Sequence, residues 1–110
     1  MHDYFFNRSI DLMRQYFIEN QINIDKIYLF GSRAREDNVK DSDYDILILI
    51  NNEITSTTRR KLLANLDRFL IKNDAILPMD LLLKNSNKFL HESSDVGYLA
   101  YQVKKEGILL

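Results

Sequence analysis

The chain has no cysteine, which excludes disulfides and thiolate metal sites. It has almost no net charge either: 15 basic and 16 acidic residues leave −1 at pH 7, so no long-range field draws it to nucleic acid or to an anionic membrane. That balance argues against a polynucleotide as the direct substrate. Long hydrophobic runs are also missing. The longest aliphatic stretch, Ile46-Leu47-Ile48-Leu49-Ile50, is far below a membrane span, and Met1-His2-Asp3 opens no basic and apolar leader of the secretory kind. Together these absences predict a soluble, cytoplasmic protein with no membrane partner. A length of 110 residues predicts a single domain over 1–110, large enough for its own core and too short for a separate substrate-recognition domain.

The periodicity that is present alternates between helix and strand. Phe6, Ile10, Met13 and Phe17 recur at helical spacing, so a first helix capped by Asp3 is predicted through about Glu19, with Phe5 and Tyr16 widening its stripe toward a second contact. Lys26 to Phe30 is short, apolar and stopped by Gly31, as expected of a buried strand. The charged stretch Ser32 to Ser42 reads as a solvated loop or short helix, and Tyr44 to Ile50 as the second strand. Thr57 or Thr58 can cap a helix through about Ile71 with Leu62, Leu66, Phe69 and Leu70 on one face. A third strand is predicted from about Ile76 to Leu83, where Pro78 implies a strand start, a bulge or an edge. A last helix is predicted over Val96 to Lys105, with Gly107 as its C-terminal cap. This order predicts an α/β (α+β) fold: a small mixed sheet with helices packed on it.

One constellation stands out from this background. Gly31-Ser32 is followed ten residues later by Asp43-x-Asp45, and the acids open the aliphatic run. A glycine after a strand allows positive φ and close approach of a ligand, and a serine opening the next turn can direct its hydroxyl and amides at a phosphate. Residues two apart in a strand share a face, so Asp43 and Asp45 present two carboxylates together, a divalent-cation site in outline. Either half alone is most often a plain turn or a pair of loop-end acids. With each residue type at roughly 5–7%, the combined pattern arises by chance in about one chain in a thousand of this length. Asp80, among Leu77, Pro78, Met79, Leu81 and Leu82, is a third candidate ligand. As a buried carboxylate it would need a cation or a basic partner, and pairing with an arginine or capping a backbone amide is the plainer alternative.

Phe30-Gly31-Ser32-Arg33-Ala34-Arg35, Asp41-Ser42-Asp43-Tyr44-Asp45-Ile46 and Met79-Asp80-Leu81 resemble the signature of the nucleotidyltransferase superfamily that includes DNA polymerase β, specifically its minimal nucleotidyltransferase branch. The resemblance spans nearly the whole chain and implies the polymerase β palm-like nucleotidyltransferase fold. It implies two magnesium ions, or manganese, held by Asp43, Asp45 and Asp80 as metal ligands and catalytic residues, with Asp80 the candidate to accept the proton of the attacking hydroxyl. Gly31 and Ser32 would hold the β and γ phosphates of a nucleoside triphosphate, ATP by resemblance; Arg33 and Arg35 are each read equally well as assisting or as solvated, with Arg33 preferred. Glu36 departs from the pattern, standing where such proteins commonly carry glycine; a negative side chain there is expected to weaken nucleotide binding.

The resemblance further implies an antitoxin role in a two-protein module, moving AMP from ATP onto a tyrosine of a HEPN-type ribonuclease toxin. Aromatics beyond what a small core needs, among them Phe5, Tyr16, Tyr98 and Tyr101, could line such a protein interface, in a homo- or hetero-oligomer. Two other classes compete with that reading. A lapsed nucleotidyltransferase module would neutralise a partner by binding alone, which Glu36 favours. A small-molecule, aminoglycoside-type nucleotidyltransferase would need an acceptor site built between two copies.

Overall fold

The computed structural model describes residues 4–37, 42–95 and 98–110. It comprises five helices and one four-stranded mixed sheet, the predicted class, in two compact units. The first is drawn from Met1–Asn23 and Ile54–Leu77, the second from Ile24–Glu53 and Pro78–Leu110.

The first unit contains α1 (Tyr4–Glu19) and α3 (Ser56–Lys72). The predicted stripe of Phe6, Ile10, Met13 and Phe17 is buried, and Tyr16 joins it. Tyr16 donates its hydroxyl to the Leu62 carbonyl at 2.9 Å and lies 5.6 Å from the Phe69 ring, so a buried phenol is both packed and satisfied. Phe5 does not widen the stripe: it is 65% exposed and meets Tyr4 edge to face. The predicted cap Asp3 lies outside the described residues. For α3 the cap is Thr55, whose hydroxyl accepts from the Thr58 amide at 3.1 Å, two residues before the nearer of the threonines predicted. Both helices end on a non-glycine residue at positive φ, Gln21 at 60° and Asp74 at 59°, which lets Ile22 and Ala75 return their amides to Phe17 and Leu70.

The second unit contains β1 (Ile24–Phe30), α2 (Gly31–Arg35), β2 (Tyr44–Ile50), β3 (Met79–Asn85), α4 (Ser86–Glu92), α5 (Leu99–Glu106) and β4 (Ile108–Leu109). Strand order is β3-β2-β1-β4, with β1 antiparallel to β2 and β4, and β2 parallel to β3. The β2 strand is buried along nearly its whole length, as its unbroken aliphatic run requires. On one face Tyr28, Leu47 and Leu49 pack with Phe89 of α4 and with Ala100 and Val103 of α5. Ile27, Leu29, Ile46, Ile48 and Ile50, at the alternate positions, are fully buried as well.

Several boundaries differ from expectation. The third strand starts at Met79, three residues late, because Pro78 sits just outside it with its carbonyl accepting from the Tyr44 amide at 3.0 Å. The unpredicted α4 follows directly, capped by the Asn85 side chain, which accepts from the Asn87 and Lys88 amides. Val96, the predicted start of the last helix, lies outside the described residues; the helix runs Leu99–Glu106. Gly107 is its C-terminal cap, as expected, donating its amide to the Val103 carbonyl at 2.7 Å, with extended backbone at φ −69° and not the left-handed conformation. Its lack of a side chain matters because a Cβ there would strike the Val103 carbonyl.

Candidate active site

The β1 strand ends at Phe30 opposite Asp45, and the chain turns at once into the single-turn α2. Gly31 makes that turn at φ +72°, where an L side chain is strained. A Cβ on Gly31 would also collide with the Asp45 carboxylate, its nearest contacts being Oδ2 and, at 3.1 Å, Cγ. Glycine is therefore required twice, by conformation and by the close approach of an acid. Among the described residues no side chain caps the first turn of α2, and Ser32 stands in that turn. Unsatisfied amides at a helix start are ready partners for an anion.

The acids meet through strand register. Asp45, the second residue of β2, pairs with Asp80, the second residue of β3, in the parallel ladder. Paired residues in a sheet direct their side chains to the same face, so Asp80 lies on the side of the sheet that Asp45 occupies. Asp43 immediately precedes Tyr44 and, two positions before Asp45, completes the group. The pKa of Asp45 is raised, chiefly by burial and then by the charges of Asp80 and Asp43, with Arg35 pulling it down. Three acids thus act on one spot. One expectation needs correcting here: Asp80 is exposed, because β3 is an edge strand, so no buried partner is needed to hold its charge.

An all-carboxylate donor set suits a hard divalent cation such as magnesium or manganese, and the mutual repulsion that disfavours ionised Asp45 is what a cation would relieve. The residues therefore fit the metal expected from the sequence. Among the described residues, no group of three or more His, Cys, Asp or Glu is already drawn together tightly enough to hold an ion.

The two arginines have different surroundings. Arg33 lies with its guanidinium carbon 4.2 Å from the centre of the Tyr44 ring, and donates from Nη2 and Nε to the Ser42 carbonyl at 2.7 and 3.1 Å. It thereby fastens the backbone just before Asp43. Arg35 pairs with Asp37 at 3.1 Å and reaches Glu106 at 3.7 Å. Its charge also reaches Asp45, and its side chain lines a cleft of about 350 Å³ beside Gly31. Sequence reasoning preferred Arg33 for the phosphates; the position of Arg35 beside both the glycine turn and Asp45 has no local sequence signal beyond the motif itself. Glu36 closes α2 at φ 62°, ψ 26°. That left-handed conformation explains why glycine would suit the position, and the Glu36 side chain is exposed.

Comparison with known proteins agrees with this geometry. A protein of Methanocaldococcus jannaschii whose name proposes protein adenylyltransferase activity is 34% identical over 76 residues, 67% of this chain and 76% of its own. Among solved structures, a toxin–antitoxin complex with AMP-PNP superimposes with a TM-score of 0.55 at 23% identity, covering 90% of this chain and 69% of the other. A nucleotidyltransferase fold from Sulfolobus solfataricus gives 0.53 at 21% identity, covering 99% and 87%. At such identities these structures establish the fold. The sequence pattern described as "Polymerase beta, Nucleotidyltransferase" is matched over residues 13–110, and the chain accordingly belongs to the polymerase β nucleotidyltransferase family of enzymes.

Proposed function

We propose that this nucleotidyltransferase moves AMP from ATP onto a hydroxyl of a partner protein, a tyrosine of a HEPN-type ribonuclease toxin, and so acts as its antitoxin. The observation that carries the chemistry is the register pairing of Asp45 with Asp80 beside the Gly31 turn. Gly31 and Ser32, with no capping side chain at their turn, would receive the β and γ phosphates, and Arg35 is better placed than Arg33 to add charge beside them. Asp43, Asp45 and Asp80 would hold divalent cations, whose charge supplies both a lowered pKa for the attacking hydroxyl and neutralisation of the leaving group. Asp80, exposed at the sheet edge, is open to an acceptor and would take the hydroxyl proton directly or through water. The acceptor oxygen forms its bond to the α phosphorus, the α–β bridging bond breaks, and pyrophosphate leaves.

The protein acceptor is supported by the adenylyltransferase name of the Methanocaldococcus relative and by the toxin–antitoxin assembly of the structural neighbour. A lapsed module that binds its partner without transfer, the reading that Glu36 favours, is the competing outcome of the test. The test is to incubate the chain with labelled ATP and magnesium together with the product of the adjacent gene, the candidate toxin. The expected outcome is a mass increase of one or more AMP units on the toxin, lost when its acceptor tyrosine is changed to phenylalanine. Tight binding with no added mass, in magnesium and in manganese, would leave only the binding reading; label appearing on an aminoglycoside instead would identify a small-molecule enzyme.

A further inference from the structure

The three acids of the candidate site are not held in the same way. Asp45 is paired with Phe30 on one side and with Asp80 on the other, so strand register sets both acids. Asp43 precedes β2 and belongs to no helix or strand, so register does not set it. Its backbone is gripped from two sides instead. On the C-terminal side the Tyr44 amide donates to the Pro78 carbonyl at 3.0 Å. On the N-terminal side Arg33 donates from Nη2 and Nε to the Ser42 carbonyl at 2.7 and 3.1 Å. That carbonyl shares a planar peptide group with the nitrogen and Cα of Asp43, so holding its oxygen fixes the plane from which Asp43 departs. The guanidinium is itself fixed, 4.2 Å from the centre of the buried Tyr44 ring, with a long Nη1 contact to the Tyr44 hydroxyl at 3.4 Å. Its fork is thus spent on a backbone carbonyl and an aromatic face. The arginine charge that acts on Asp45 is that of Arg35.

We propose that Arg33 is a positioning residue for the metal site: by holding the Ser42–Asp43 peptide it presents the Asp43 carboxylate to a divalent cation, and it binds no phosphate. The inference rests on the metal-dependent reading of the site and deepens it. Arg33 lies on α2, which begins at Gly31, so the same contact ties the glycine turn to the residues entering β2. Positioning and charge make opposite predictions. A cation beside a metal site repels the metal, so if Arg33 acted through its charge, removing it would tighten cation binding. If it acts by holding the peptide, removal lets Asp43 turn away from the other two acids, and cation binding weakens. The requirement is also specific to arginine, because Nε and Nη2 converge on one oxygen in a planar fork that the single ammonium of lysine does not reproduce.

The test needs no turnover. Manganese binding without nucleotide is measured by calorimetry on the full chain, on Arg33→Gln and on Arg33→Lys, and tripolyphosphate binding without metal on the same three proteins. Arg33→Gln is expected to bind manganese about tenfold more weakly, the low end for groups that orient metal ligands. Arg33→Lys should match Arg33→Gln despite its retained charge, and neither change should weaken tripolyphosphate. All titrations run below the melting transition of the least stable variant, where a purely structural role would leave manganese affinity untouched. Manganese bound by Arg33→Gln as tightly as by the wild type or more tightly, or affinity restored by lysine, overturns the assignment and leaves the metal site standing. Tripolyphosphate weakened in Arg33→Gln would make Arg33 a phosphate ligand and overturn it as well. A wild type that binds no manganese overturns the metal reading itself, and this assignment with it.

Discussion

Asp45 sits where ionisation is disfavoured, by burial first and by Asp80 and Asp43 second. A carboxyl whose folded pKa exceeds its unfolded value holds its proton more tightly in the fold. Stability is therefore lost as pH rises from the ordinary aspartate range through the raised value. Without divalent cation, Asp45→Asn is expected to melt above the wild type at about pH 7, and to lose that advantage near pH 3, below the ordinary carboxylate range. Thermal melts of both proteins across this range check it; a variant that melts lower throughout would mean that the carboxylate is needed as a hydrogen-bond acceptor. Glu36 presents the opposite case, a position where backbone and not charge sets the cost. At φ 62° a non-glycine residue is strained, so Glu36→Gly should stabilise the protein by about 1 kcal/mol after the extra chain entropy of glycine is subtracted. Urea midpoints at constant slope would report that gain, and a midpoint that falls would show that the Glu36 side chain makes a stabilising contact.

The elements legible in the sequence were those whose signal is local. The β2 strand occupies its predicted span because five consecutive aliphatic residues between polar neighbours admit one reading, and α1 follows from its four-residue stripe. The cap of α3 was misplaced since Thr55, Thr57 and Thr58 are chemically alike and only geometry shows which hydroxyl meets an orphan amide. That difference is testable: Thr55→Ala should cost about 1 kcal/mol, whereas Thr57→Ala, at an exposed position inside the helix, should stay within about 0.5 kcal/mol. Equal losses in chemical denaturation would remove Thr55 from the cap. The α4 helix is seven residues long and β4 two, too short for periodicity to register, although Asn85 before Ser86 is a readable cap signal in retrospect. The same division holds at the candidate site. Gly31, Ser32, Asp43 and Asp45 were visible as a motif, and Asp80 as an acid among apolar residues. The exposure of Asp80 depends on β3 being an edge strand, and the placing of Arg35 and α5 around one cleft depends on tertiary packing that no local pattern encodes.

At the scale of the whole molecule, all six residues proposed from the sequence, Gly31, Ser32, Arg33, Asp43, Asp45 and Asp80, fall in the same compact unit, Ile24–Glu53 with Pro78–Leu110. The chain leaves that unit after Glu53 and returns at Pro78, so Asp45 and Asp80 are brought side by side by a parallel crossover and not by a hairpin. A ligand that bridges them links two distant stretches of chain and can bind only the folded state, which makes stability a direct readout of the site. With magnesium and ATP at about a hundredfold excess over the dissociation constant, linkage predicts about 2.7 kcal/mol, or a rise in melting temperature of roughly 10 °C for a domain of this size. Asp43→Asn and Asp45→Asn should each abolish the rise, even though Asp45→Asn starts from the higher melting point in the absence of metal. Hydrogen exchange should show new protection concentrated at the α2 turn and at the starts of β2 and β3. A rise that survives in both variants would mean that the nucleotide is held without these acids, and the metal assignment would then fail while the phosphate turn at Gly31 stood.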